Sequence, residues 1–315
     1  MTQSTQVHDL LVIGGGINGA GVAADAAGRG LDVVLCEQAD LAQATSSAST
    51  KMIHGGLRYL ENYEFALVHK ALKERELLSD VAQHIIQPIP IVIPHLLHLR
   101  PTWMVRMGLF LYDHLARRRR FKGSRHVRFD LDGPLRPELV HGYEYWDAQV
   151  DDSLLVILNA VQAREKGARV LTRTECIALE ALDTHWRIQL KSHLTGQMSE
   201  LKAKAVVNAS GPWVGSLAGQ LTGKVAKHKV RLVKGSHIVI PRFYEYENAF
   251  LMQHADGRVI FVIPYQGRFT LIGTTEEEID DSLEGVEISE QEIDYLINVT
   301  NKYFKRALSR TRSPA

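Results

Sequence analysis

The chain contains the stretch LLVIGGGINGAGVAADAAGRGLDVVLCE, which runs from Leu10 to Glu37. An apolar run of strand length opens into a group of glycines, small residues at helical spacing follow, and a second apolar run ends in an acid. This order predicts a strand, a tight turn, a helix and a second, parallel strand. The stretch is typical of a βαβ unit that binds a dinucleotide.

Each glycine of this stretch has a separate expected task. Gly14 permits the tight turn, Gly16 lets the backbone approach a pyrophosphate, and Gly19 lets the helix pack closely on the strand. The N-terminus of the helix, which includes Asn18, presents free N–H groups and partial positive charge to an anion. We therefore expect these four residues to contact the cofactor.

Glu37 narrows the choice of dinucleotide. A carboxylate at the end of the second strand accepts hydrogen bonds from ribose hydroxyls and repels a 2′-phosphate. The ligand predicted from these residues is NAD or FAD.

The composition is that of an ordinary folded protein. Of 315 residues, 45% are hydrophobic, and the formal net charge is +1, which argues against a nucleic-acid partner. The two cysteines, Cys36 and Cys176, lie in apolar runs, so we expect buried thiols in a reducing compartment. We predict no secretory signal, no membrane-spanning segment and no metal site.

A loop rich in hydroxyl groups follows Glu37 at the edge of the sheet where dinucleotides bind. Its side chains could reach phosphate oxygens or the far end of the cofactor. The glycine pair that comes next permits close approach to a flat group, with polar side chains beside it. The predicted cofactor contacts of this region are Thr45, Ser46, Ser49, Lys51, His54 and Gly55; Arg58 and Tyr59 lie beside them.

Two helical segments follow. Tyr63 to His84 reads as an amphipathic helix whose charges, Arg75 among them, form a solvated face. Trp103 to Ala116 is apolar and leads into Arg117, Arg118, Arg119 and Arg120. These arginines fit either a solvated turn or a peripheral anchor on an anionic membrane.

The second half of the chain changes from helix to strand. Asp151 is expected to cap a helix, and a buried strand opens at Ala209 and Gly211 into a second glycine turn near the cofactor. From residue 229 the pattern predicts an antiparallel sheet, in which His237 reads as a core residue. A last helix is predicted from Ser289 to about Leu308.

Together these residues predict an α/β fold with an FAD-binding, Rossmann-like domain and an antiparallel β-sheet substrate domain. FAD is favoured over NAD because the chain has one glycine-rich loop and a second backbone turn for a long, buried cofactor. We assign residues 1–90 and 147–225 to the FAD-binding domain, and residues 91–146 and 226–315 to the substrate domain.

The chain resembles the FAD-dependent, quinone-linked glycerol-3-phosphate dehydrogenases of aerobic bacteria. The resemblance rests on DLLVIGGGINGAGVAADAAGRG (9–30), ATSSASTKMIHGGLRYLENYEF (44–65), HLRPTWMVRMGLFLYDHL (98–115), VNASGPWV (207–214), RLVKGSHIVIPR (231–242), VIFVIPY (259–265) and IGTT (272–275). The first and fourth motifs occur more widely among flavoproteins that oxidise amines and glycerophosphate. HGGLRYLE and KGSHIV are more specific.

The resemblance implies oxidation of sn-glycerol 3-phosphate to dihydroxyacetone phosphate, with electrons delivered to ubiquinone. It raises His237 to a candidate general base, with Arg58 for the phosphate or a developing oxyanion and Tyr59 to orient the hydroxyl. It also implies a peripheral protein at the cytoplasmic face of the inner membrane.

The family continues past residue 315 into further arginines for the substrate phosphate and a segment that closes over the flavin. We therefore expect a form that lacks its C-terminal part. An amino-acid or sarcosine oxidase of the same superfamily, and a flavin-binding chain without activity, remain as alternatives. The oligomeric state is open, a homodimer included.

Overall fold

The computed structural model describes residues 3–96, 101–223, 230–254, 256–279, 283 and 285–310. In chain order its strands are β1 (Gln3–Ile13), β2 (Val33–Cys36), β3 (Met52–Ile53), β4 (Ile86–Pro94), β5 (Arg125–Arg128), β6 (His141–Val150), β7 (Arg169–Leu171), β8 (Thr174–Ala181), β9 (Trp186–Ser192), β10 (Met198–Asn208), β11 (Val233–Lys234), β12 (His237–Pro241), β13 (Ala249–Gln253), β14 (Val259–Tyr265), β15 (Phe269–Gly273) and β16 (Glu277–Glu278). Its α-helices are α1 (Ile17–Gly28), α2 (Phe65–Val81), α3 (Thr102–His114), α4 (Asp152–Glu165), α5 (Val214–Thr222) and α6 (Glu290–Asn301). Short 3-10 helices occur at Thr45–Ser47, Leu57–Asn62 and Gly211–Trp213.

The chain forms two compact units, each built from two separate stretches. Unit 1 comprises residues 1–49 and 151–232, and unit 2 comprises residues 50–150 and 233–315. The sequence-based division differs at residues 50–90, which belong to unit 2, because β3 and β4 both pair with β6. The other two changes between the units of the structure lie at residues 150/151 and 232/233.

Unit 1 is organised around a six-stranded sheet in the order β7-β2-β1-β10-β9-β8. The first four strands are parallel, and β9 and β8 continue the sheet in antiparallel fashion. The small face of α1 lies against α4, where Ala20 packs with Val156 and Ala160. The predicted βαβ order and α/β class are therefore confirmed.

Unit 2 is organised around a second sheet in the order β12-β15-β14-β13-β4-β6-β3, with β5 on β6. All neighbours are antiparallel except β4 and β13. Gln149 Nε2 on β6 donates to Pro264 O on β14 at 2.9 Å, although β13 and β4 lie between these strands in the sheet order. An antiparallel sheet was predicted, but it also recruits strands from before residue 150.

β4 is a strand despite three prolines. Pro88, Pro90 and Pro94 are all an even number of residues apart, so their backbone nitrogens face the same edge of the strand. The N–H groups that proline lacks are therefore lost from that edge only. The alternate residues Ile89 and Ile91 are buried in the core of unit 2. Along its whole length β4 pairs with β6.

The predicted solvated face of α2 is wrong at Arg75. The helix lies within the predicted segment, but the Arg75 side chain is only 1% exposed. Its guanidinium forms an ion pair with Asp147 on β6. A periodic pattern reports which positions face water on average, and it does not reveal a charged partner 72 residues away.

The sequence predicted the N-terminal caps of α4 and α6 correctly, but it did not predict the C-terminal end of α6. Asp151 caps α4 by accepting from Leu154 N, and Ser289 caps α6 through a capping box with Glu292. The prediction that α6 reaches Leu308 is wrong, because the helix ends at Asn301. Beyond it Leu308 N donates to Asn301 Oδ1, and Phe304 forms a bridge with Leu135. No helix among the described residues is long and apolar enough to span a membrane.

Candidate functional site

The glycine turn of unit 1 packs so tightly that two of its positions have no room for a Cβ atom. Gly14 has φ of +113°, and a Cβ there would lie 2.5 Å from Ala209 O on the neighbouring β10 turn. A Cβ at Gly19 would overlap the carbonyl oxygen of Gly14. Positions 14 and 19 therefore accept glycine only, which lets α1 begin directly against the turn.

Glu37 clamps this turn. Its Oε2 accepts from Gly15 N at 2.7 Å and its Oε1 accepts from Ala39 N at 2.8 Å. Each carboxylate oxygen keeps a second lone pair, which can accept from a ribose hydroxyl. The same side chain can thus hold the turn and bind the cofactor.

Two serines of the hydroxyl-rich loop meet helix N-termini. Ser46 Oγ accepts from Ile17 N at 3.0 Å in the first turn of α1. Ser49 Oγ donates to Asp152 Oδ2 at 2.7 Å in the first turn of α4. The loop is therefore held by both helices of the predicted nucleotide-binding unit.

A cavity of about 700 Å³ lies against the glycine turn. Its volume is in the range of cofactor sites. Among its lining residues are eight predicted cofactor contacts: Gly14, Gly16, Asn18, Glu37, Thr45, Ser46, Ala209 and Gly211. Gly19 and Ser49 belong to unit 1 outside this lining, and Lys51, His54 and Gly55 belong to unit 2. A backbone cradle with an acid beside it fits an unphosphorylated dinucleotide.

Sequence reasoning missed part of the cavity wall. Thr174 and Cys176 at the start of β8 line it, as does Leu217 of α5. Both cysteines are buried free thiols, as predicted, and burial raises the pKa of Cys176 to about 12. Cys176 is therefore a wall residue rather than a nucleophile.

His237 begins β12 in unit 2. Its Nε2 lies 3.0 Å from Thr50 Oγ1, and a Cβ on the paired residue Gly273 would overlap its ring. Burial lowers the His237 pKa, and the positive charge of Lys51 lowers it further. The imidazole is therefore neutral near pH 7 and able to accept a proton.

A second histidine, His54, contacts one residue of the sheet row that contains His237. Gly273 pairs with His237 on one side and with Phe261 on the other, so these three residues share a face. The ring centroid of His54 lies 4.9 Å from that of Phe261. The structure thus brings together two predicted site residues, His54 and His237, on one face.

His54 and Gly55 are anchored to a buried carboxylate. Asp147 Oδ2 lies 3.1 Å from His54 Nδ1, and Asp147 Oδ1 accepts from Gly55 N at 2.9 Å. A Cβ at Gly55 would overlap the Tyr112 hydroxyl and Leu72. The sequence predicted that the backbone at Gly55 closely approaches another group. In the structure, that group is the core of unit 2.

Arg58 and Tyr59 lie on the Leu57–Asn62 turn. Arg58 donates from its terminal nitrogen to Gly257 O at 3.2 Å, and Tyr59 is 51% exposed. Among the described residues, no hydrogen bond joins either side chain to His54 or His237. The turn therefore presents the Arg58 guanidinium and the Tyr59 phenol. In the part of the chain that the structure describes, neither side chain has a hydrogen bond to a carboxylate.

Comparisons with known proteins agree with this geometry. The glycerol-3-phosphate dehydrogenase of Pseudomonas aeruginosa is 51% identical over 304 residues, covering 96% of this chain and 59% of that protein. The D-erythritol 1-phosphate dehydrogenase of Brucella abortus is 51% identical over 305 residues, covering 96% of this chain and 61% of that protein. The chain thus spans about three fifths of the length of these relatives.

A solved structure and a family model complete the comparison. The glycerol-3-phosphate dehydrogenase of Bacillus halodurans, solved with FAD, superposes with a TM-score of 0.72 at 29% identity, over 96% of this chain and 54% of that one. The model of the FAD dependent oxidoreductase family, DAO, matches residues 9–314. This confirms FAD as the dinucleotide, and the chain belongs to the FAD-dependent oxidoreductase family.

Proposed function

We propose that the chain oxidises the C2 hydroxyl of sn-glycerol 3-phosphate to give dihydroxyacetone phosphate, with FAD held in unit 1. The observation that carries this proposal is the cavity at the Gly14 turn, closed by Glu37, in a chain that is 51% identical to a glycerol-3-phosphate dehydrogenase. The remaining two fifths of the relatives' length lie outside this chain, so the proposal concerns what these 315 residues contribute.

Unit 1 supplies the cofactor contacts. Gly14 and Gly16 would leave room for the pyrophosphate, and Glu37 would accept hydrogen bonds from the ribose hydroxyls. FAD held there would supply the acceptor for the hydride of the carbon that is oxidised. The protein itself binds and orients the cofactor and the substrate, and it excludes competing reactions.

Unit 2 supplies groups for the substrate. His237 is neutral because burial and the Lys51 charge lower its pKa, so it accepts the hydroxyl proton as hydride leaves C2. Arg58 is the candidate for the substrate phosphate or a developing oxyanion, since guanidinium groups bind both. Tyr59, exposed beside it, orients the hydroxyl.

A second substrate is favoured by one observation. The D-erythritol 1-phosphate dehydrogenase of Brucella abortus is as similar to this chain as the glycerol-3-phosphate dehydrogenase is. Both names describe polyol phosphates, which share a phosphate and a secondary hydroxyl. D-erythritol 1-phosphate is therefore the second candidate substrate.

The test is anaerobic reduction of the bound flavin by a panel of compounds. Glycerol 3-phosphate, D-erythritol 1-phosphate and sarcosine are each mixed with the purified chain, and flavin absorbance is followed. We expect glycerol 3-phosphate to reduce the flavin fastest and sarcosine not to reduce it. Preferential reduction by D-erythritol 1-phosphate would favour the second candidate, and reduction by sarcosine would contradict both.

The electron acceptor and location are part of the same proposal. Trp103, Met107 and Phe110 follow one another at helical spacing on α3, and their side chains are 63%, 51% and 59% exposed. Such a stripe suits a helix lying in a membrane interface, where ubiquinone would take up the electrons. We place the protein on the cytoplasmic face of the membrane as a peripheral protein.

The basic segment after α3 contributes less than its sequence suggests. Arg118 lies 2.9 Å from Asp113, and Arg119 and Arg120 each lie 3.7 Å from Asp80. Arg119 remains 68% exposed. The apolar stripe is therefore the main element of the proposed anchor, and Arg117 to Arg120 add a salt-sensitive attraction to anionic lipid.

A further inference from the structure

The buried carboxylate beneath His54 has a more specific arrangement than a structural ion pair requires. Asp147 is 1% exposed and receives donors from three elements: His54 after β3, Arg75 on α2 and Tyr112 on α3. The Tyr112 hydroxyl donates to Asp147 Oδ1 at 2.8 Å. Three of its four side-chain and backbone donors use Oδ1, which leaves Oδ2 to the imidazole.

The network keeps Asp147 ionised. Burial by itself would raise the pKa of this carboxyl, but the hydrogen bond from His54 and the charge of Arg75 hold it below its ordinary value. Arg75 is fixed in turn by Trp146 O at 2.9 Å and by the Phe121 ring, whose centroid lies 4.0 Å from the guanidinium carbon. The carboxylate therefore cannot turn away from His54 without leaving a buried guanidinium unpaired.

A carboxylate can only accept hydrogen bonds, so it selects one tautomer of a neutral imidazole. His54 must carry its proton on Nδ1, and Nε2 then holds a lone pair. The side chain is 36% exposed, whereas its Asp147 partner is buried. His237 differs, because its neighbour Thr50 has a hydroxyl, which donates or accepts and fixes no tautomer.

We propose that Asp147 is a positioning residue that acts through His54, holding its Nε2 as a hydrogen-bond acceptor on the sheet face shared with His237. This rests on the proposed function and deepens it, since a hydrogen-bond acceptor there receives the hydrogen of a substrate hydroxyl. Asp147 also fixes the peptide that follows His54 by accepting from Gly55 N. One buried side chain thus contacts both the ring of His54 and the backbone N–H of the next residue.

The first test reads the tautomer and requires no turnover. In the ¹⁵N-labelled chain at about pH 8, above the titration of most histidines, long-range ¹H–¹⁵N correlation distinguishes protonated from unprotonated ring nitrogens. The His54 signals are identified by their loss in His54→Gln. We expect Nδ1 protonated in the unaltered chain and the Nε2-protonated form populated in Asp147→Asn. An Nε2-protonated His54 in the unaltered chain, or no change in Asp147→Asn, would overturn the proposal.

The second test asks whether Asp147 acts through His54. Flavin reduction by glycerol 3-phosphate is measured in Asp147→Asn, His54→Gln and the double variant. We expect Asp147→Asn to slow reduction at saturating substrate by about 10- to 100-fold in the native background. In the His54→Gln background the same change should have less than about threefold further effect. Equal effects in both backgrounds would show a purely structural role and overturn the proposal.

Asp32→Asn is the matched control, because Asp32 contacts His8 Nδ1 at 2.9 Å in unit 1. It removes the same kind of pair and should change neither the His54 signals nor the rate. If Asp147→Asn does not fold, the His54 tautomer measured in the unaltered chain still decides whether the proposal is correct. A chain that shows Nδ1-protonated His54 but is not reduced by glycerol 3-phosphate would contradict the proposed function while supporting the positioning of His54.

Discussion

The imidazole of His237 occupies the space beside Gly273 in which any other residue would carry its Cβ. The two residues are directly paired across β12 and β15, so the ring lies against residue 273 of the next strand. A substitution at residue 273 would therefore move the His237 ring while leaving the imidazole itself unchanged.

Gly273→Ala should displace the His237 ring and slow flavin reduction by glycerol 3-phosphate by about a hundredfold, as His237→Ala would. Stopped-flow absorbance measures the rate, and flavin content should stay unchanged because the cofactor cavity belongs to unit 1. Gly108→Ala on α3, where a Cβ meets open space, is the control. A native rate in Gly273→Ala or in His237→Ala would remove His237 from the mechanism.

Gly19→Ala should abolish flavin binding, because its Cβ would overlap the Gly14 carbonyl and push α1 away from the turn. Gly21→Ala, two residues further along the same helix, meets nothing within 4 Å and should bind flavin normally. It should also raise the free energy of unfolding by about 0.5–1 kcal/mol, since alanine favours helix. The ratio of flavin to protein absorbance reports binding, and equal ratios in the two variants would contradict the turn's role.

Glu37→Ala should weaken flavin retention, because it removes the clamp on Gly15 N and Ala39 N together with the ribose acceptor. Dialysis followed by flavin fluorescence measures the loss. Glu180→Ala, at an exposed ion pair with Arg187, serves as control. Undiminished flavin content in Glu37→Ala would count against both tasks of this side chain.

Glu292 should make unit 2 sensitive to acid. Burial alone would raise its pKa, but hydrogen bonds from Lys234, Ser289, Thr275 and Ser236 bring it from 4.5 to about 2. Because the pKa is lower in the folded chain, the stabilisation is complete above about pH 4.5 and is lost as pH falls towards 2. The stabilisation amounts to about 3 kcal/mol.

Urea unfolding of Glu292→Gln between about pH 5 and pH 2 measures this contribution. The variant should be less stable than the unaltered chain at the upper end, and the difference should shrink as pH falls. Glu180→Gln provides the exposed reference. A difference that stays constant across the range would contradict the assigned pKa.

Membrane attachment through α3 gives a fourth kind of test. Phe110→Ser and Trp103→Ser should each reduce sedimentation with anionic vesicles, whereas Val81→Ser, at an equally exposed apolar residue of α2, should not. Neutralising Arg117 and Arg119 should mainly reduce the salt dependence of binding. Binding that is unaffected by the α3 substitutions would exclude this helix as the anchor.

The parts of the fold that local sequence determines could be predicted. Local sequence was enough to predict four features: the Gly14 turn, the helix caps at Asp151 and Ser289, and the strand before Ala209. Each depends on residues that are close together in the sequence. The cofactor cavity was predictable for the same reason, since most of its wall comes from the ends of β1, β2 and β10.

The features that depend on distant partners could not be predicted. Arg75 looks like one more charge on an amphipathic helix until β6 brings Asp147 to it. The strand β4 was not predicted, because its three prolines are compatible with a strand only when their positions lacking an N–H fall on one edge. His54 was predicted only as a cofactor contact, because its carboxylate partner lies 93 residues away in the sequence.

The central claim is that these residues bind a flavin which a polyol phosphate reduces. The most direct measurement is the visible spectrum of the purified chain before and after anaerobic glycerol 3-phosphate. We predict flavin absorbance bands that bleach on addition of the substrate. Bands that persist would contradict the proposed reaction for this chain, and a colourless protein that does not take up added FAD would contradict the cofactor site itself.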